Sequence, residues 1–305
     1  MVEPSVCAIV VTFNPDSKLP ELVQALASQV GLVIVVDNAS SHETMSLVHN
    51  LKTIQNLELI ENPSNLGLGA GFNIGLRRGL ELGYSYLGIF DQDSSYSDGL
   101  ISGLLSIHTA LLDESIAVVS PIYRDENLGF TVHPDTVSQT KPLLNGRAVE
   151  VMSTFSSASL IRADALRKIG LMNEGFFIDH IDHEFCLRCH SAGYHVLQAT
   201  NTILEHRLGN PFKTWLGIII LIHDSNRLYY QYRNRVILYK QFALRFPGFI
   251  FRDWLSSLAR LFEIIVYQDT KIVNLLAIFE GFFDGMQNKS GIRMRIAKKP
   301  IAKPK

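Results

Sequence analysis

Residues 86–94 have the sequence YLGIFDQDS, an apolar run that ends in two carboxylates, Asp91 and Asp93. The run is short and rich in residues that favour strands, so it predicts a buried strand. Ligands of an open parallel sheet bind at the carboxyl ends of its strands, where these two side chains would emerge. Paired hard oxygen donors suit Mg²⁺ or Mn²⁺ that carries a phosphorylated substrate. The alternative is that Asp91 and Asp93 only end the strand and cap the following helix.

Strands and helices alternate on both sides of this stretch. Near-continuous apolar runs predict buried parallel strands at residues 6–13, 30–36, 57–60 and 116–120. Apolar residues at helical spacing predict helices from residue 19, at 42–51 and at 98–112. The sequence therefore predicts an α/β fold with a Rossmann-like, mostly parallel sheet covered by helices on both faces.

The pattern weakens after residue 120. Residues 123–145 mix glycine, proline and polar residues with isolated apolar ones, which predicts loops and raises the hypothesis of a flap over the site. Strands are predicted at 149–160 and 196–199, with a short helix at 162–169. His206 follows the last strand and is a candidate metal ligand or phosphate contact. The alternative is a surface histidine in a loop.

Residues 62–73, NPSNLGLGAGFN, place three glycines on alternate positions before a predicted helix at 74–82. The dinucleotide fingerprint fails, because the sixth position counted from Gly67 is Phe72. A Walker loop fails as well, since no Gly-Lys-Ser/Thr is present. The glycines would still let the backbone approach a ligand closely, and helix amides can face an anion. A plain turn is the alternative.

A second group of chemically active side chains lies in residues 176–188, FFIDHIDHEFCLR. Asp182 falls in the first turn of a predicted helix that runs to Ala192, so its carboxylate can face a cleft. The alternative is an acidic cap on an exposed turn. Cys186 and Cys189 lack a second Cys/His pair at zinc-site spacing, and they are predicted to be small buried hydrophobes.

Composition limits the classes of protein that fit. The chain has 305 residues, of which 47% are hydrophobic and 19% charged, with a formal net charge of -1. This balance argues against nucleic acid as a partner. Three cysteines do not form a disulfide framework, which favours a reducing cytosol. The N-terminal run lacks the basic region of a signal peptide, and no window is apolar for about 18 residues as a transmembrane helix requires.

The last third of the chain changes character, so we predict a catalytic domain at 1–215 and a helical region at 216–305. Helices are predicted at 223–246, 249–267 and 272–286, and charged residues interrupt their apolar faces. Six cations and no acid follow, at positions 293, 295, 298, 299, 303 and 305. Amphipathic helices beside a basic tail favour an anionic membrane surface, and the same helices could join a homo-oligomer. A solvated tail without a partner is the alternative.

Together these segments resemble the GT-A glycosyltransferases of family 2 over about residues 5–240. The resemblance is carried by VVTFN at 10–14, VDNAS at 36–40, the loop at 65–73, FDQD at 90–93 and residues 182–188. FDQDS, with RLYYQYRN at 227–234, is most similar to the bacterial rhamnosyltransferases that build O-antigen, lipopolysaccharide and related surface polysaccharides. One departure is visible, because the family commonly has Glu-Asp where this chain has Ile181-Asp182.

The resemblance implies a set of site residues. The positions that match nucleotide-sugar contacts are Thr12, Asn14, Asp37, Asn65, Gly67, Asn73, Asp91 and Arg233. Among them, the first three match the base and ribose contacts, the next three the loop that lines the sugar pocket, and Arg233 a region near the diphosphate or acceptor. Asp91 and Asp93 match the DXD motif, with Asp93 as direct metal ligand beside His206. Asp182 matches the general base.

The resemblance further implies an inverting, Mg²⁺- or Mn²⁺-dependent transferase. The expected donor is dTDP-L-rhamnose, and the expected acceptor is a lipid-linked saccharide at the cytoplasmic, inner face of the cell membrane, where the protein would be peripheral. Two alternatives remain. One is a family 2 transferase that uses a UDP-hexose or UDP-galactofuranose, and the other is an inactive protein that binds nucleotide sugars.

Overall fold

The computed structural model describes residues 5–111, 114–125, 131–132, 142–206, 212–215, 218–221 and 223–293. Its strands are β1 Val6–Thr12, β2 Leu32–Asp37, β3 Leu57–Glu61, β4 Tyr86–Phe90, β5 Ile116–Asp125, β6 Thr131–Val132, β7 Ala148–Glu150, β8 Ser159–Arg162, β9 His195–His206, β10 Phe212–Trp215 and β11 Ile218–Leu221. Its helices are α1 Leu19–Ala27, α2 His42–Asn50, α3 Leu68–Glu81, α4 Leu100–Leu111, α5 Ala163–Ile169, α6 Ile181–Ser191, α7 Ser225–Phe242, α8 Pro247–Tyr267 and α9 Lys271–Met286.

In the part of the chain that is described, nine strands form one mixed sheet. Eight lie in the order β3-β2-β1-β4-β8-β5-β9-β7, and β6 pairs with β5. The first four are parallel, β8 runs antiparallel between β4 and β5, and β5 and β9 are parallel. The predicted α/β fold with flanking and C-terminal helices is therefore confirmed.

Each face of the sheet packs against helices because side chains alternate along the strands. In β1, Val6, Ala8 and Val10 face a core completed by α1, α2 and α4. The intervening residues face a second core completed by α3, α5 and α6. Burial of one such aliphatic side chain stabilises the folded state by about 1.5–3 kcal/mol. The two cores together therefore hold the strands, and with them the strand ends that form the site, in place.

Helix α3 begins at Leu68, earlier than the predicted start at residue 74, so the predicted loop at 62–73 is wrong in its second half. Gly67 caps the helix with a φ of +90°. Beyond it, a glycine recurs every four residues and faces the sheet: a Cβ on Gly71 would lie 2.7 Å from Val11, and one on Gly75 would overlap Ile9. Glycine weakens a helix in isolation, but here it lets α3 lie directly on the strands.

The later strands also differ from the prediction. The strand predicted at 149–160 is two strands, β7 and β8, separated by a loop, and β9 continues well past Ala199 to His206. Strand β5 runs through Pro121 to Asp125, because the proline sits where the register with β9 shifts. Much of the region predicted to form a flap, residues 126–130 and 133–141, lies outside the described residues.

The C-terminal helices pack on the sheet domain through α7. Helix α9 approaches α7 closely, since a Cβ on Gly281 would overlap the backbone of Tyr229 and one on Gly285 would lie 2.6 Å from the Arg233 carbonyl oxygen. Within the described ranges, every helix is too short or too polar to cross a membrane. The domain boundary predicted after residue 215 stays a prediction.

Candidate active site

The carboxyl ends of β1 and β2 form one wall of the site. Thr12 and Asp37 are register partners, and both are fully buried. The Thr12 hydroxyl donates to Asp37 Oδ1 at 2.8 Å, while the backbone N–H and hydroxyl of Ser40 donate to the same carboxylate at 2.9 and 2.5 Å. Asp37 is thus held by three donors of the protein itself, which fixes the turn after β2.

Asn14 joins this turn to the end of β1. Its φ of 47° lies in the left-handed region, which asparagine tolerates better than most residues. Its N–H donates to Ser40 Oγ at 2.9 Å, and its Oδ1 accepts from the Ser41 N–H at 2.7 Å. Asn14 is exposed, so it lies at the rim of the wall that Thr12 and Asp37 support.

Gln92 holds the two aspartates that follow β4 against the end of β1. Its Oε1 accepts from the Phe13 N–H at 2.8 Å, and its Nε2 donates to the Phe13 carbonyl oxygen at 3.2 Å. The Tyr96 hydroxyl donates to the Asp91 carbonyl oxygen at 2.8 Å. Asp93 is exposed at the rim. The residue between the two aspartates, to which sequence analysis gave no role, therefore positions them.

Strand β9 brings His206 to the same edge. The Ser95 N–H donates to the Glu205 carbonyl oxygen at 3.2 Å, so the backbone next to His206 lies beside the segment that carries Asp93. The His206 side chain is outside the described residues. Among the residues that are described, no three His, Cys, Asp or Glu side chains are grouped to hold a metal ion. Asp91 and Asp93 still fit Mg²⁺ or Mn²⁺, which needs one or two carboxylates when a phosphate supplies further oxygens.

The loop before α3 contacts the loop before α6. Asn65 Oδ1 accepts from the Gly67 N–H at 2.9 Å, and the Leu68 N–H donates to the Phe177 carbonyl oxygen at 2.6 Å. Asn73 is buried in α3 and exchanges hydrogen bonds of 2.8 and 2.9 Å with the backbone of Met172. In this structure Asn73 therefore joins α3 to the later loop, whereas Asn65 and Gly67 lie at the helix start.

Asp182 lies in the first turn of α6, as predicted, with its side chain 19% exposed. Its Oδ1 accepts from the His183 N–H at 2.9 Å. The turn that delivers it is strained, because Phe177, Asp179 and His180 have φ of 60°, 63° and 63°, a region that side chains rarely adopt. Such strain persists only where the surrounding structure imposes it, and it concentrates at functional sites.

Two buried residues of α7 hold this strained turn. Asn234 Nδ2 lies 2.8–2.9 Å from the carbonyl oxygens of Phe176, Ile178 and Asp179. Arg233 is 1% exposed. Its Nη2 donates to the carbonyl oxygen of Phe176, before α6, and its Nη1 donates to that of Gly291, after α9.

The Arg233 Nε donates to the Asn234 side chain, so all three of its nitrogens are bonded inside the protein. Arg233 is thus engaged by the protein in this structure, and the contact with a diphosphate or acceptor that the resemblance implies stays a prediction. Sequence analysis missed Asn234. The available signal was an Arg-Asn pair within a helix whose neighbours are buried tyrosines.

Arg227 forms an ion pair with Asp179, in the turn before α6. Its Nε is 3.2 Å from both oxygens of Asp179, and its Nη2 is 3.1 Å from Oδ1. Burial raises the pKa of Asp179, and Arg227 opposes that rise. Burial disfavours the charged guanidinium, but the carboxylates of Asp179, Asp224 and Asp91 together raise the Arg227 pKa. Arg227 is therefore within electrostatic reach of Asp91, which sequence analysis did not anticipate.

Asp91 and Asp182 both lie within electrostatic reach of the buried Tyr123. Burial raises its pKa, and the charges of Asp91 and Asp182 raise it further. A small pocket beside it is lined by Asp182 together with residues of β4, β5 and β8. Cys186 and Cys189 are buried free thiols, and burial raises the pKa of Cys186 to about 12, so they pack as hydrophobes.

Comparison with known proteins gives this arrangement a context. Residues 7–170 match the model of the family described as glycosyl transferase family 2. The chain is 28% identical over 295 residues to the dTDP-rhamnosyl transferase RfbF of Shigella flexneri, covering 94% of this chain and 97% of that one. It is also 28% identical over 262 residues to the galactofuranosyltransferase GlfT1 of Mycolicibacterium smegmatis, covering 79% of this chain and 84% of that one.

Solved structures share the GT-A fold. The mannosyltransferase PcManGT from Pyrobaculum calidifontis, in complex with GDP-Man and Mn²⁺, aligns with a TM-score of 0.60 at 14% identity over 94% of this chain and 88% of its own. GalNAc-T7 with UDP, GalNAc and Mn²⁺ aligns with a TM-score of 0.60 at 12% identity. The alignment covers 93% of this chain and 56% of GalNAc-T7. At these identities the likeness concerns the fold alone.

Proposed function

Since the chain belongs to glycosyl transferase family 2, we propose that it transfers rhamnose from dTDP-L-rhamnose to a lipid-linked saccharide with inversion at the anomeric carbon. The observation that carries the choice of sugar is the similarity to the dTDP-rhamnosyl transferase RfbF, which extends over 97% of that protein. The observation that supports the chemistry is that Asp182 and Asp91 both lie within electrostatic reach of the same buried residue, Tyr123.

In this proposal Asp182 is the general base. It takes the proton of the acceptor hydroxyl while that oxygen forms its bond to the anomeric carbon. The bond from this carbon to the diphosphate oxygen breaks, and its electron pair leaves with the nucleoside diphosphate. The sugar passes through an oxocarbenium-like state, so alignment between Asp182 and the leaving group decides the rate. The Asn234 and Arg233 contacts support that alignment because they fix the turn before Asp182.

The donor is proposed to lie along the ends of β1, β2 and β4. Thr12, Asn14 and Asp37 form the wall for the base and ribose, and Asn65 and Gly67 border the sugar. Asp91 and Asp93 would hold Mg²⁺ or Mn²⁺ together with His206. When bound, such an ion neutralises charge that develops on the departing diphosphate. Asn73 is proposed to act indirectly, since its amide is bonded to the loop before α6.

A second donor class is supported by one observation. Similarity to the galactofuranosyltransferase GlfT1 is as high in identity as that to RfbF, although it covers less of either chain. We test the two with a nucleotide-release screen that offers dTDP-rhamnose, UDP-galactofuranose and UDP-hexoses with Mg²⁺ or Mn²⁺ and a lipid-linked acceptor. Acceptor-dependent release of dTDP supports the proposal. Release of UDP alone selects the second class, and no release from any donor supports an inactive binding protein.

We propose that the protein meets its acceptor at a membrane surface. Helices α8 and α9 expose large apolar side chains at helical spacing, each with 43–73% of its surface accessible: Phe251, Trp254, Leu255, Leu258, Phe262, Ile265 and Val266 on α8, and Ile272, Val273, Leu276, Phe279, Phe282, Phe283 and Met286 on α9. Monomeric soluble proteins rarely expose so much contiguous apolar surface along an element. We define these residues as the apolar stripes.

An anionic bilayer is the occupant that the sequence around the stripes favours. Residues 294–305, which follow α9, contain five cations and no acid. Acids on α8 and α9 are already paired, Asp253 with Arg235, Glu263 with Arg260 and Asp284 with Lys289. Apolar helices beside a basic segment fit the interface of an acidic membrane, which we propose to be the inner face of the cell membrane. A homo-oligomer through the same stripes is the competing outcome.

A further inference from the structure

Arg227 is a cation at the cleft that is held by an exchangeable contact. It lies in the first turn of α7 and forms a two-pronged ion pair with Asp179 at 3.1–3.2 Å. Its own side chain is 44% exposed, whereas that of Asp179 is 13% exposed. Because the guanidinium is reachable from solvent, a stronger anion can compete with the carboxylate for it.

The position of Arg227 points to the reacting end of the donor. It pairs with Asp179, three residues before the proposed base Asp182, and the charge of Asp91 is among those that raise its pKa. The cation therefore lies beside the turn that delivers the proposed base and within electrostatic reach of the residue proposed to carry the diphosphate. A guanidinium fork matches the oxygens of a phosphoryl group as well as those of a carboxylate, and a diphosphate carries more negative charge.

We propose that Arg227 exchanges Asp179 for the diphosphate of the nucleotide sugar when the donor binds. Arg227 is then the protein's own cation for the leaving group, and it acts beside the ion that Asp91 and Asp93 are proposed to hold. This inference rests on the proposed function, because it assumes that a nucleoside diphosphate occupies the cleft. No part of it depends on which base or sugar the donor contains.

Asp179 has a replacement donor for the moment of exchange. Gln231, one turn further along α7, also opposes the rise in the Asp179 pKa, and its amide is the donor that would replace the guanidinium. The Asp179 carbonyl oxygen is held separately by Asn234. The backbone that delivers Asp182 therefore keeps its support when Arg227 moves, and the exchange requires a change of side-chain rotamer alone.

The test is equilibrium binding with Mg²⁺ of dTDP, UDP and GDP and of the three matching monophosphates. The full-length proteins compared are the wild type, Arg227→Gln, Arg227→Lys, Asp179→Asn and the double variant Arg227→Gln/Asp179→Asn. Arg245→Gln, an exposed arginine beyond the end of α7, is the matched control. Thermal melting of each protein identifies any variant that has lost its fold.

We expect Arg227→Gln to weaken the diphosphate that the wild type binds by about 10- to 100-fold, and its monophosphate by less than about threefold. Arg227→Lys, which keeps the charge without the fork, gives an intermediate loss. Asp179→Asn removes the competing carboxylate and tightens diphosphate binding severalfold, but only while Arg227 is present. Equal losses for mono- and diphosphate, or weaker binding in Asp179→Asn, overturn the exchange.

Failure of this inference differs from failure of the proposed function. If the wild type binds none of the three nucleoside diphosphates, the proposed function falls. If it binds one of them and Arg227→Gln and Arg227→Lys both bind it as tightly as Arg245→Gln does, only the role of Arg227 falls. Should Arg227→Gln fail to melt cooperatively, the lysine variant carries the same comparison.

Discussion

At the scale of single residues, Asp179 and Asp182 show that two carboxylates only three positions apart can take different roles. Asp182 remains partly accessible and accepts a hydrogen bond from its own helix, whereas Asp179 is more deeply buried and engaged by Arg227. A base must reach the proton that it removes, and accessibility favours Asp182 for that task. The strained backbone between them turns the two carboxylates into different surroundings.

We therefore predict that Asp182→Asn retains donor binding and lowers turnover by about 10²–10⁴-fold, the usual cost of losing a general base. The amide keeps the size of the side chain but cannot accept the proton. Steady-state rates and donor affinity, measured on the same preparation, provide the check. Asp164→Asn, an exposed aspartate on α5, is the control. Turnover within threefold of the wild type would remove Asp182 from the role of base.

His108 gives the stability of the protein a pH dependence. Burial lowers its pKa to about 4, and its Nε2 contacts the Leu160 carbonyl oxygen at 3.1 Å. The unfolded chain binds this proton near pH 6.5, but the folded chain does so only near pH 4. The stabilising effect of a neutral His108 is therefore complete above pH 6.5 and is lost as the pH falls toward 4.

His108→Phe should reduce the pH dependence of the free energy of unfolding between pH 6.5 and 4. The expected reduction is that of one titrating proton, about 1.4 kcal/mol per pH unit. The phenyl ring keeps the packing against Tyr86, whose ring centroid lies 4.9 Å away. Urea unfolding at a series of pH values measures the slope. His42→Phe, an exposed histidine at the start of α2, should leave the slope as it is. An unchanged slope in His108→Phe would contradict the assignment.

At the scale of elements, helix α3 shows where prediction from sequence ends. Its apolar neighbours and Gly67 were recognisable, but its start was placed too late because glycine-rich segments favour turns over helices. The glycines are there to contact strands that are far away in sequence, and that contact was not visible in the local pattern. The strand ends that carry Thr12, Asp37 and Asp91, by contrast, followed directly from the short apolar runs that precede them.

Residues of α7 show the same limit. Arg233 was assigned to the ligand because the resemblance places it near the diphosphate or acceptor, yet all three of its nitrogens bond to Asn234, to Gly291 and to the turn before α6. Arg227, six residues earlier, received no role, although it faces the carboxylates. Whether Arg227 or Arg233 faces the carboxylates of the site depends on the direction of α7 relative to α6. Residue spacing within one helix does not determine that packing angle.

Gly75→Ala should destabilise the protein by about 1–3 kcal/mol, because the added methyl would overlap Ile9 at the helix–sheet contact. This expectation opposes helix propensity, which favours alanine by about 1 kcal/mol. Gly248→Ala, in the first turn of α8 with open space around it, is the matched control and should be neutral or stabilising. Urea unfolding of both variants decides, and a more stable Gly75→Ala would refute the close packing.

At the scale of the whole molecule, the cleft and the apolar stripes lie on elements joined through α7. Arg227 at one end of that helix contacts the site, and Tyr232 in its middle packs with Ile264 of α8 and Ile278 of α9. A protein seated on a bilayer by α8 and α9 would thus hold its cleft in a fixed relation to acceptors in the same bilayer.

Membrane docking predicts that the full-length protein sediments with anionic vesicles and is released by salt, since screening weakens the contribution of the basic segment. Phe262→Ser combined with Phe279→Ser should weaken vesicle binding at least tenfold, because each phenyl group loses its burial in the interface. Leu244→Ser, a fully exposed leucine outside the stripes, is the control.

Two results would count against binding of the apolar stripes to a bilayer. Equal sedimentation of the double variant and the control would show that the stripes do not meet lipid. A wild-type mass of twice the monomer that returns to the monomer in the double variant, without vesicle binding, would assign the stripes to a second copy of the chain.

The place of β8 in the sheet also governs how the chain can assemble during synthesis. Strand β4 pairs with β1 on one side and with β8 on the other, and β8 ends at Arg162, far behind β4 in the order of translation. A nascent chain that has emerged only to α4 can join β3, β2, β1 and β4 but leaves β4 as an open edge. Its unpaired amide groups invite foreign strands until the ribosome has delivered β8, which makes this interval the one in which a chaperone has most to protect.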